Sequence, residues 1–577
     1  MVDPLAPLRQ RVLAAATAQF GADGAAAEPA LHRSAHADYQ ADIALALARR
    51  LKRNPKDVGA ALAASLPADD IIARAEVSGP GFINLSLQPA YLASELGRML
   101  RDDRLGSPPV ALPETVVVDY SSPNLAKEMH VGHIRSTIIG DALVRLLEFQ
   151  GHRVIRQNHV GDWGTPFGML LEQLIDARAS GGEASVRELV GFYREARAKF
   201  DSDPAFAERA RRRVVQLQGG EAETLALWRR LIDISIEYFT TLYSRLGVTL
   251  RPEHVAGESL YNPQLPNVVQ DLVRLGLAVE SDGAMCVFPP GFFGREGEAL
   301  PLIVRKQDGG YGYATTDLAA LRHRVAELGA TRVIYVVGSP QTQHLAMVFA
   351  TAKLAGWAGP EVRLEHVAFG SVLGPDKKMF KTRAGESVSL AALLDEAIDR
   401  AAQVVRDKSP DLDSDAQKRI AEAVGVGAIK YADMSNDRIK DYVFDWNRML
   451  AFEGNTAPYL MYAHARVRSI LRKAEWSGDR VAAAAALQIE APEERALALE
   501  LLGLAAAIEK TGETLQPHRI CGQLFDVATK FMGFYEKCPV LKAAEPARAA
   551  RVALVALTAR VLQQGLGLLG ITAPEQM

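Results

Sequence analysis

Residues 115–133 read Thr-Val-Val-Val-Asp-Tyr-Ser-Ser-Pro-Asn-Leu-Ala-Lys-Glu-Met-His-Val-Gly-His. The β-branched run Thr115–Val118 predicts a buried parallel strand ending at Asp119, and Pro123 and Asn124 mark a turn after it. Ile134, Ile138, Leu143, Leu146 and Leu147 then recur at helical spacing up to Gly151, so a helix follows whose first turn carries His130 and His133. This order places the helix amino terminus at the strand's carboxyl end, where open parallel sheets bind ligands. Free N–H groups and the positive end of the helix dipole favour a phosphate there. Gly132 lets a nucleotide approach the backbone, and the imidazoles can donate hydrogen bonds to phosphate oxygens that gain charge during displacement at phosphorus.

His130-Val-Gly-His133 equally describes an ordinary helix start with two satisfied histidines, or half of a metal site. Zinc is disfavoured, because Cys286, Cys521 and Cys538 lie far from one another and from the histidines and show no paired spacing. A second stretch, Asp376-Lys-Lys-Met-Phe-Lys-Thr-Arg383, follows a turn at Gly374-Pro375 and sets Lys377, Lys378, Lys381 and Arg383 against Asp376 and Glu386. It suits a clamp on a polyphosphate, or it is a solvated charged turn.

The chain has 577 residues, 48% of them hydrophobic, enough for about two to four cored domains. A formal net charge of −3 excludes a whole-molecule field that attracts nucleic acid, so any RNA contact rests on local basic surfaces. Three cysteines without pairing pattern argue against a disulfide framework and point to a reducing, cytoplasmic setting. Arg9 and Arg11 interrupt the amino terminus, and no uncharged run reaches the roughly 18 residues that span a bilayer, so no membrane partner is expected.

Residues 1–110 combine helical periodicity at Ala41–Leu51 with the strand-like Gly81–Leu87 and end at Ser107-Pro-Pro109, which predicts a small α+β domain. From 111 to 385 strand and helix signals alternate, with strands expected at Val154–Gln157, Arg332–Val337 and Val367–Phe369. That is the pattern of an α/β fold, a Rossmann-like doubly wound parallel sheet, with a helical insertion at about 168–300. Residues 386–445 read as a helical connection and 446–577 as an all-α bundle, with Ala- and Leu-rich runs at 494–508 and 547–569.

Two further groupings bear on recognition. Tyr313 and Asp317, four residues apart, put a hydroxyl and a carboxylate on one side of a helix start, as a planar guanidinium requires of its acceptors. Alternatively, Asp317 caps a helix over Leu318–Leu328. Tyr459, Tyr462 and Arg466 share one helix face, with Arg468, Arg472 and Lys473 beside them and Glu475 as the nearby acid. Such a surface suits single-stranded RNA, each stacked base contributing roughly 1–3 kcal/mol, or it is a core tyrosine pair with snorkelling arginines.

His130-Val-Gly-His133 resembles the His-Ile-Gly-His signature of class I aminoacyl-tRNA synthetases, and Lys378-Met-Phe-Lys381 resembles their Lys-Met-Ser-Lys-Ser loop. Ser122-Pro-Asn-Leu-Ala-Lys127, Asn158-His-Val-Gly-Asp-Trp-Gly164, Asp308-Gly-Gly-Tyr-Gly-Tyr-Ala-Thr-Thr-Asp317 and Glu453-Gly-Asn-Thr-Ala-Pro-Tyr459 are similar to arginyl-tRNA synthetases, over essentially the whole chain. The resemblance implies ATP-dependent attachment of L-arginine to tRNA(Arg) through an arginyl adenylate, by a monomer. Mg²⁺ would accompany ATP, with no dedicated protein metal site. His130, Gly132, His133 and Lys381 would bind ATP; the two histidines would stabilise the transferring phosphate, and Lys381 and Lys378 would hold the leaving pyrophosphate. Asn124, Tyr313, Asp317, Glu258 and Gln341 would line the arginine pocket.

The same resemblance implies that the amino-terminal domain meets the tRNA D-loop at the elbow near Tyr39 and Gln40, although a tyrosine beside a helix start more often packs against its own core. The basic cluster Arg209, Arg211, Arg212 and Arg213 would touch the acceptor stem or form a solvated helix face. Tyr459, Tyr462, Arg466, Tyr535 and the terminal Met577 would pack around the anticodon. Bound tRNA is expected to be needed even for the first step. The pattern departs at Asp42, where Asn is expected, and at Phe380 and Thr382, which stand at the two serine positions of the lysine loop.

Overall fold

The structure, a computed structural model, describes residues 3–34, 36–125, 127–179, 189–380 and 388–577. Near the amino terminus four antiparallel strands lie in the order Leu31–Arg33, Tyr39–Ala41, Phe82–Leu87 and Ile72–Ser78. Ile83, Leu85 and Leu87 alternate with half-exposed Asn84 and Ser86, so one face is buried, against the helices Ile43–Leu51 and Pro55–Ala64. Tyr39 belongs to that buried face at 3% exposure, under the Arg33 guanidinium 5.2 Å from its ring centre. A strand residue on the core side spends its ring on packing, the reading of Tyr39 as a core residue.

The central sheet is parallel, in the order Arg363–His366, Arg332–Tyr335, Thr115–Asp119 and Arg153–Gln157. Val116, Val117 and Val118 are all 0% exposed, as a strand covered on both faces requires. From Thr115–Asp119 the chain crosses through the helix Val131–Phe149 to add Arg153–Gln157 on one side, and Arg332–Tyr335 is added on the other. The reversal makes a switch point at the carboxyl ends of Thr115–Asp119 and Arg332–Tyr335, the crevice in which such sheets hold ligands. The strand expected at Val367–Phe369 lies earlier, at Arg363–His366. As an edge strand it tolerates charged, half-exposed residues, while Phe369 keeps a single bridge to Gly338.

The insertion is helical only in its first part, through Thr165–Ala179, Leu189–Ser202, Pro204–Gln218, Ala222–Leu246 and Leu265–Arg274. It continues as a three-stranded antiparallel sheet, Ala278–Ser281, Ala284–Val287 and Leu302–Arg305, which corrects the all-helical expectation to residue 300. The first hairpin turns on Asp282-Gly283, both at positive φ, the chemistry a tight two-residue turn demands. Two members of the arginine cluster are engaged inside this insertion, and Arg211 and Arg212 stay exposed. Arg209 and Arg213 pair with the buried Glu172, Arg212 with Glu208, and Arg211 lies over Phe200.

Beyond the sheet, the helices Leu390–Lys408 and Ser414–Met434 start on Ser389 and Asp413, whose side chains accept backbone N–H groups of the first turn. The bundle follows, with Ala457–Lys473, Pro492–Leu502, Leu504–Thr514, His518–Lys537 and Ala547–Leu568 as its main helices. Glu475 is not the only acid beside the basic face of Ala457–Lys473. The chain's last residues return along it, and Glu575 meets Arg468 through its side chain and Arg472 through its carbonyl.

Candidate active site

Where Thr115–Asp119 ends, Ser121 and Ser122 take left-handed conformations at φ 70° and 47°, unusual for residues with a Cβ. The turn is over-determined by its surroundings. The Ser121 N–H donates to Ser136 Oγ at 2.9 Å, the Ser122 N–H to Asn158 Oδ1 at 2.9 Å, and Ser122 Oγ to Asp119 Oδ1 at 2.8 Å. Fully buried Arg324 holds the other Asp119 oxygen at 2.7 Å. The turn thereby delivers Asn124 to the surface of the crevice against Gly161. A Cβ at Gly161 would lie 2.2 Å from Asn124 Oδ1, so a side chain there would push the Asn124 amide out of this position.

The helix Val131–Phe149 begins with His130 as its N-cap. His130 Nδ1 accepts the Gly132 N–H at 3.0 Å, and His133 Nδ1 accepts the His130 N–H at 3.2 Å, a reciprocal cap in which imidazoles replace the usual hydroxyl and carboxylate. The rings lie 4.0 Å apart. Because each Nδ1 accepts, the proton of each neutral ring is assigned to Nε2. Burial, followed by the His130 charge, holds His133 down at about 4, and burial followed by Lys127 lowers His130 as well. Both are neutral donors near pH 7. Gly132 is exposed between them; a side chain there would crowd the His130 ring at 2.8 Å.

The lysine stretch is held at both ends, by this helix start after it and by a short strand pair before it. The Val131 N–H donates to Val388 O at 3.0 Å and the Leu390 N–H to Met129 O at 2.8 Å, just past the loop. Before it, Val372–Leu373 pairs with Tyr442–Val443, and a tight turn closes with the Gly374 N–H donating to Lys378 O at 2.7 Å. Lys378 is exposed on that turn; Lys381 lies outside the described residues. Phe380 has a packing reason for replacing a serine. Its ring stacks on Phe444 at 4.7 Å, and Phe444 meets Trp446 edge-on.

Beside the crevice the Glu258 carboxyl feels the charges of two others, Asp162 and Asp317. Asp162 accepts the Ser259 N–H at 2.8 Å and Ser259 Oγ at 2.6 Å, and Glu258 stands next to it. Burial, then the charges of Asp162 and Asp317, raise the Glu258 carboxyl from its ordinary 4.5 to about 7. Among the described residues no lysine or arginine forms an ion pair with any of the three. The helix over Tyr313–Ala326 starts at Tyr313, so Asp317 lies inside it and does not cap it. Its Oδ2 instead meets His344 Nε2 at 2.6 Å. Tyr313 is 78% exposed at the same helix start, and Gln341 is the exposed residue before the helix Thr342–Leu354. Sequence reasoning missed Asp162 and His344. Asp162 sits inside the quoted Asn158–Gly164 motif, and His344 follows Gln341 by three residues, one face of the same helix start.

On the bundle, Arg466 Nη1 donates to Tyr462 Oη at 2.9 Å, and the Arg466 guanidinium lies 4.5 Å from the centre of the Tyr535 ring. Tyr459 meets Phe525 at 5.8 Å, and Met577 packs against the bundle core. Tyr459, Tyr462, Arg466 and Tyr535 are all half-buried, one edge in the core and one outside. In the amino-terminal domain half-buried Gln40 donates to Asp42 at 2.8 Å, so the departure at Asp42 orients Gln40.

Among the described residues no group of three or more His, Cys, Asp or Glu is arranged to hold a metal ion. The nitrogen donors at the helix start suit phosphate oxygens rather than the hard Mg²⁺ ion. Among the described residues no helix is long and apolar enough to cross a membrane.

Three family descriptions match the chain: arginyl tRNA synthetase N terminal domain over residues 8–87, tRNA synthetases class I (R), catalytic domain, over 95–446, and DALR anticodon binding domain over 460–577. The arginine–tRNA ligase of Thermobifida fusca is 53% identical across 100% of both chains, and that of Escherichia coli is 49% identical across 95% of this chain and 96% of its own. The solved arginyl-tRNA synthetase of Thermus thermophilus superimposes with a TM-score of 0.81 at 27% identity, covering 99% of this chain and 100% of that one. That of Plasmodium falciparum gives 0.82 at 27% identity and 99% of each chain. With a class I parallel sheet, a histidine helix start at its switch point and matches along its full length, the chain belongs to the arginyl-tRNA synthetase family.

Proposed function

We infer that this arginine–tRNA ligase forms arginyl adenylate in the crevice between the His130–His133 helix start and the Asp162–Glu258–Asp317 carboxylates. The observation that carries this reading is the Glu258 carboxyl within the fields of Asp162 and Asp317, none of the three in an ion pair with a lysine or arginine among the described residues, beside a phosphate-suited helix start. A guanidinium stays charged at any physiological pH and offers a planar fork of donors, the chemical complement of such a pocket. Glu258 and Asp317 take the guanidinium, with Tyr313, Asn124 and Gln341 orienting the rest of the substrate.

In the first step an arginine carboxylate oxygen attacks the α-phosphorus of ATP. The bond to the bridging oxygen of the β-phosphate breaks, and pyrophosphate leaves with its electron pair. The Nε2–H groups of His130 and His133 donate to oxygens of the transferring phosphate, and Lys381 with Lys378 holds the pyrophosphate. Mg²⁺, when it accompanies the triphosphate, neutralises part of its charge. In the second step the 2′-hydroxyl of the terminal tRNA adenosine attacks the activated carbonyl and AMP leaves. No side chain becomes covalently bound, so rate comes from orientation and charge placement.

For tRNA we assign the half-buried edge of Tyr459, Tyr462, Arg466 and Tyr535, with Met577, to the anticodon, and Gln40 to the elbow. The enzyme is assigned to the cytoplasm as a monomer. Three buried thiols without disulfides support a reducing compartment.

Asp317→Asn is expected to raise the KM for arginine at least ~100-fold in tRNA charging and leave the KM for ATP within about twofold, because one charge-assisted partner of the guanidinium is lost. Equal changes in both KM values would speak against the pocket. A pH dependence follows from Glu258. Arginine favours the ionised carboxylate, so arginine affinity is expected to fall as pH drops below about 7, and binding near neutrality to release a proton measurable by calorimetry in buffers of different ionisation heat. The sign for stability is opposite without arginine. The folded carboxyl holds its proton between the ordinary 4.5 and about 7 while the unfolded one has lost it, so stability falls as pH rises through that window.

A further inference from the structure

The Asp317 carboxylate does not stand alone in its pocket: His344 Nε2 lies 2.6 Å from its Oδ2. The two residues come from different elements, Asp317 from the helix Tyr313–Ala326 and His344 from the first turn of Thr342–Leu354. Gln341 precedes that turn and lies three residues from His344, so one helix start presents both to the crevice. The His344 and Asp317 side chains are 28% and 22% exposed, covered enough to limit competition from water yet open on one side.

We propose that His344 is a positioning residue for arginine selection, holding the Asp317 carboxylate in the one rotation that keeps Oδ1 and a lone pair of Oδ2 available to the guanidinium fork. An aspartate carboxylate turns about a broad torsion and has no strongly preferred plane of its own. The Asp317 and Glu258 charges act against each other, so an untethered Asp317 carboxylate is free to swing about its torsion. A hydrogen bond from a ring fixed on a separate helix opposes that swing. The donor takes one of the roughly four lone-pair positions of the carboxylate and leaves the others. A planar guanidinium gains two parallel bonds only from a carboxylate held in its plane, whereas a lysine ammonium has no such demand, so the tether favours arginine over lysine. His344 acts only through Asp317, and the inference rests on the reading of Asp317 as a guanidinium contact.

The test is steady-state charging of tRNA, with KM measured for arginine and ATP and with lysine as competitor, for His344→Leu, His344→Gln, His344→Asn, Asp317→Asn and the double variant H344L/D317N. Glutamine places an N–H near the position of Nε2, and asparagine falls short of it. His344→Leu and His344→Asn are expected to raise the arginine KM ~10–100-fold, the scale of a lost hydrogen bond to a charged group, with the ATP KM within twofold and lysine competing better. His344→Gln returns to within a few-fold of the parent, and His344→Leu adds little in the Asp317→Asn background. An unchanged arginine KM in His344→Leu, or equal KM values for the glutamine and asparagine variants, overturns the proposal. If Asp317→Asn alone leaves the arginine KM unchanged, the pocket reading has failed and the His344 assignment falls with it. Should His344→Leu fold poorly, the glutamine and asparagine pair decides.

Discussion

Replacing His133 by alanine is expected to slow arginyl-adenylate formation ~10²–10³-fold while the KM for arginine stays within a few-fold, the loss typical of one preorganised donor to a developing oxyanion. The expectation follows from what each ring nitrogen does. Nδ1 is occupied by the His130 N–H at 3.2 Å, so the neutral ring carries its proton on Nε2. Burial keeps the ring neutral down to about pH 4, so the donor is present across the physiological range and the effect should not depend on pH between 6 and 8. The lost cap itself costs about 1 kcal/mol of helix stability, which a thermal melt separates from the rate effect. ATP–pyrophosphate exchange in the presence of tRNA measures the step. A variant with parental exchange rate would remove His133 from the chemistry.

The second large effect is structural and reaches the same helix. Arg135, one turn into Val131–Phe149, is 1% exposed and pairs through Nε with both oxygens of fully buried Asp433 at 3.1 and 3.2 Å. Its Nη1 donates to Lys440 O at 3.2 Å, and its guanidinium lies between the Phe369 and Tyr442 rings at 5.7 and 5.3 Å. The pair therefore joins the histidine helix to the helix Ser414–Met434 and to the strand that flanks the lysine loop. Asp433→Ala leaves a buried guanidinium without its counter-charge, a loss of about 3–5 kcal/mol. Spread over the unfolding entropy of 577 residues, ~1.2 kcal/mol per kelvin, that lowers the melting transition by roughly 3 °C. A double replacement by apolar side chains of similar volume, Arg135→Met with Asp433→Leu, should recover most of the loss, because the desolvation cost of both charges disappears as well. If Asp433→Ala melts within a degree of the parent, the pair does not hold these elements together.

The strand, turn and helix over residues 115–149 were legible because each signal is local: β-branched burial, Pro and Asn at the turn, apolar spacing after it. The two histidines stood out in the sequence as a pattern at the helix start. Their capping geometry was not legible, since His133 Nδ1 turns back to the backbone by a rotamer no sequence specifies. What escaped the sequence depended on partners distant along the chain. Arg209 and Arg213 of the basic cluster are paired with Glu172 from another helix, and Arg468 with Glu575 more than a hundred residues later. The edge strand Arg363–His366 carries too much charge for a hydrophobicity pattern to register. The Asp282-Gly283 hairpin carried a readable turn signal that the helical reading of the insertion passed over. Asp317 and Tyr313 stood out by spacing, with the helix cap as an equal alternative until the family resemblance, whereas the contact between Asp317 and His344 required two helices to be brought side by side.

The central claim is that a carboxylate pocket at the switch point of a class I sheet selects arginine for activation by ATP. The most direct measurement is charging of total tRNA with each of the twenty amino acids in turn, labelled, at equal concentration. Arginine alone should be attached, with release of AMP and pyrophosphate in equal amounts. Charging of another amino acid at a comparable rate, or no charging with arginine by a folded enzyme, would contradict it.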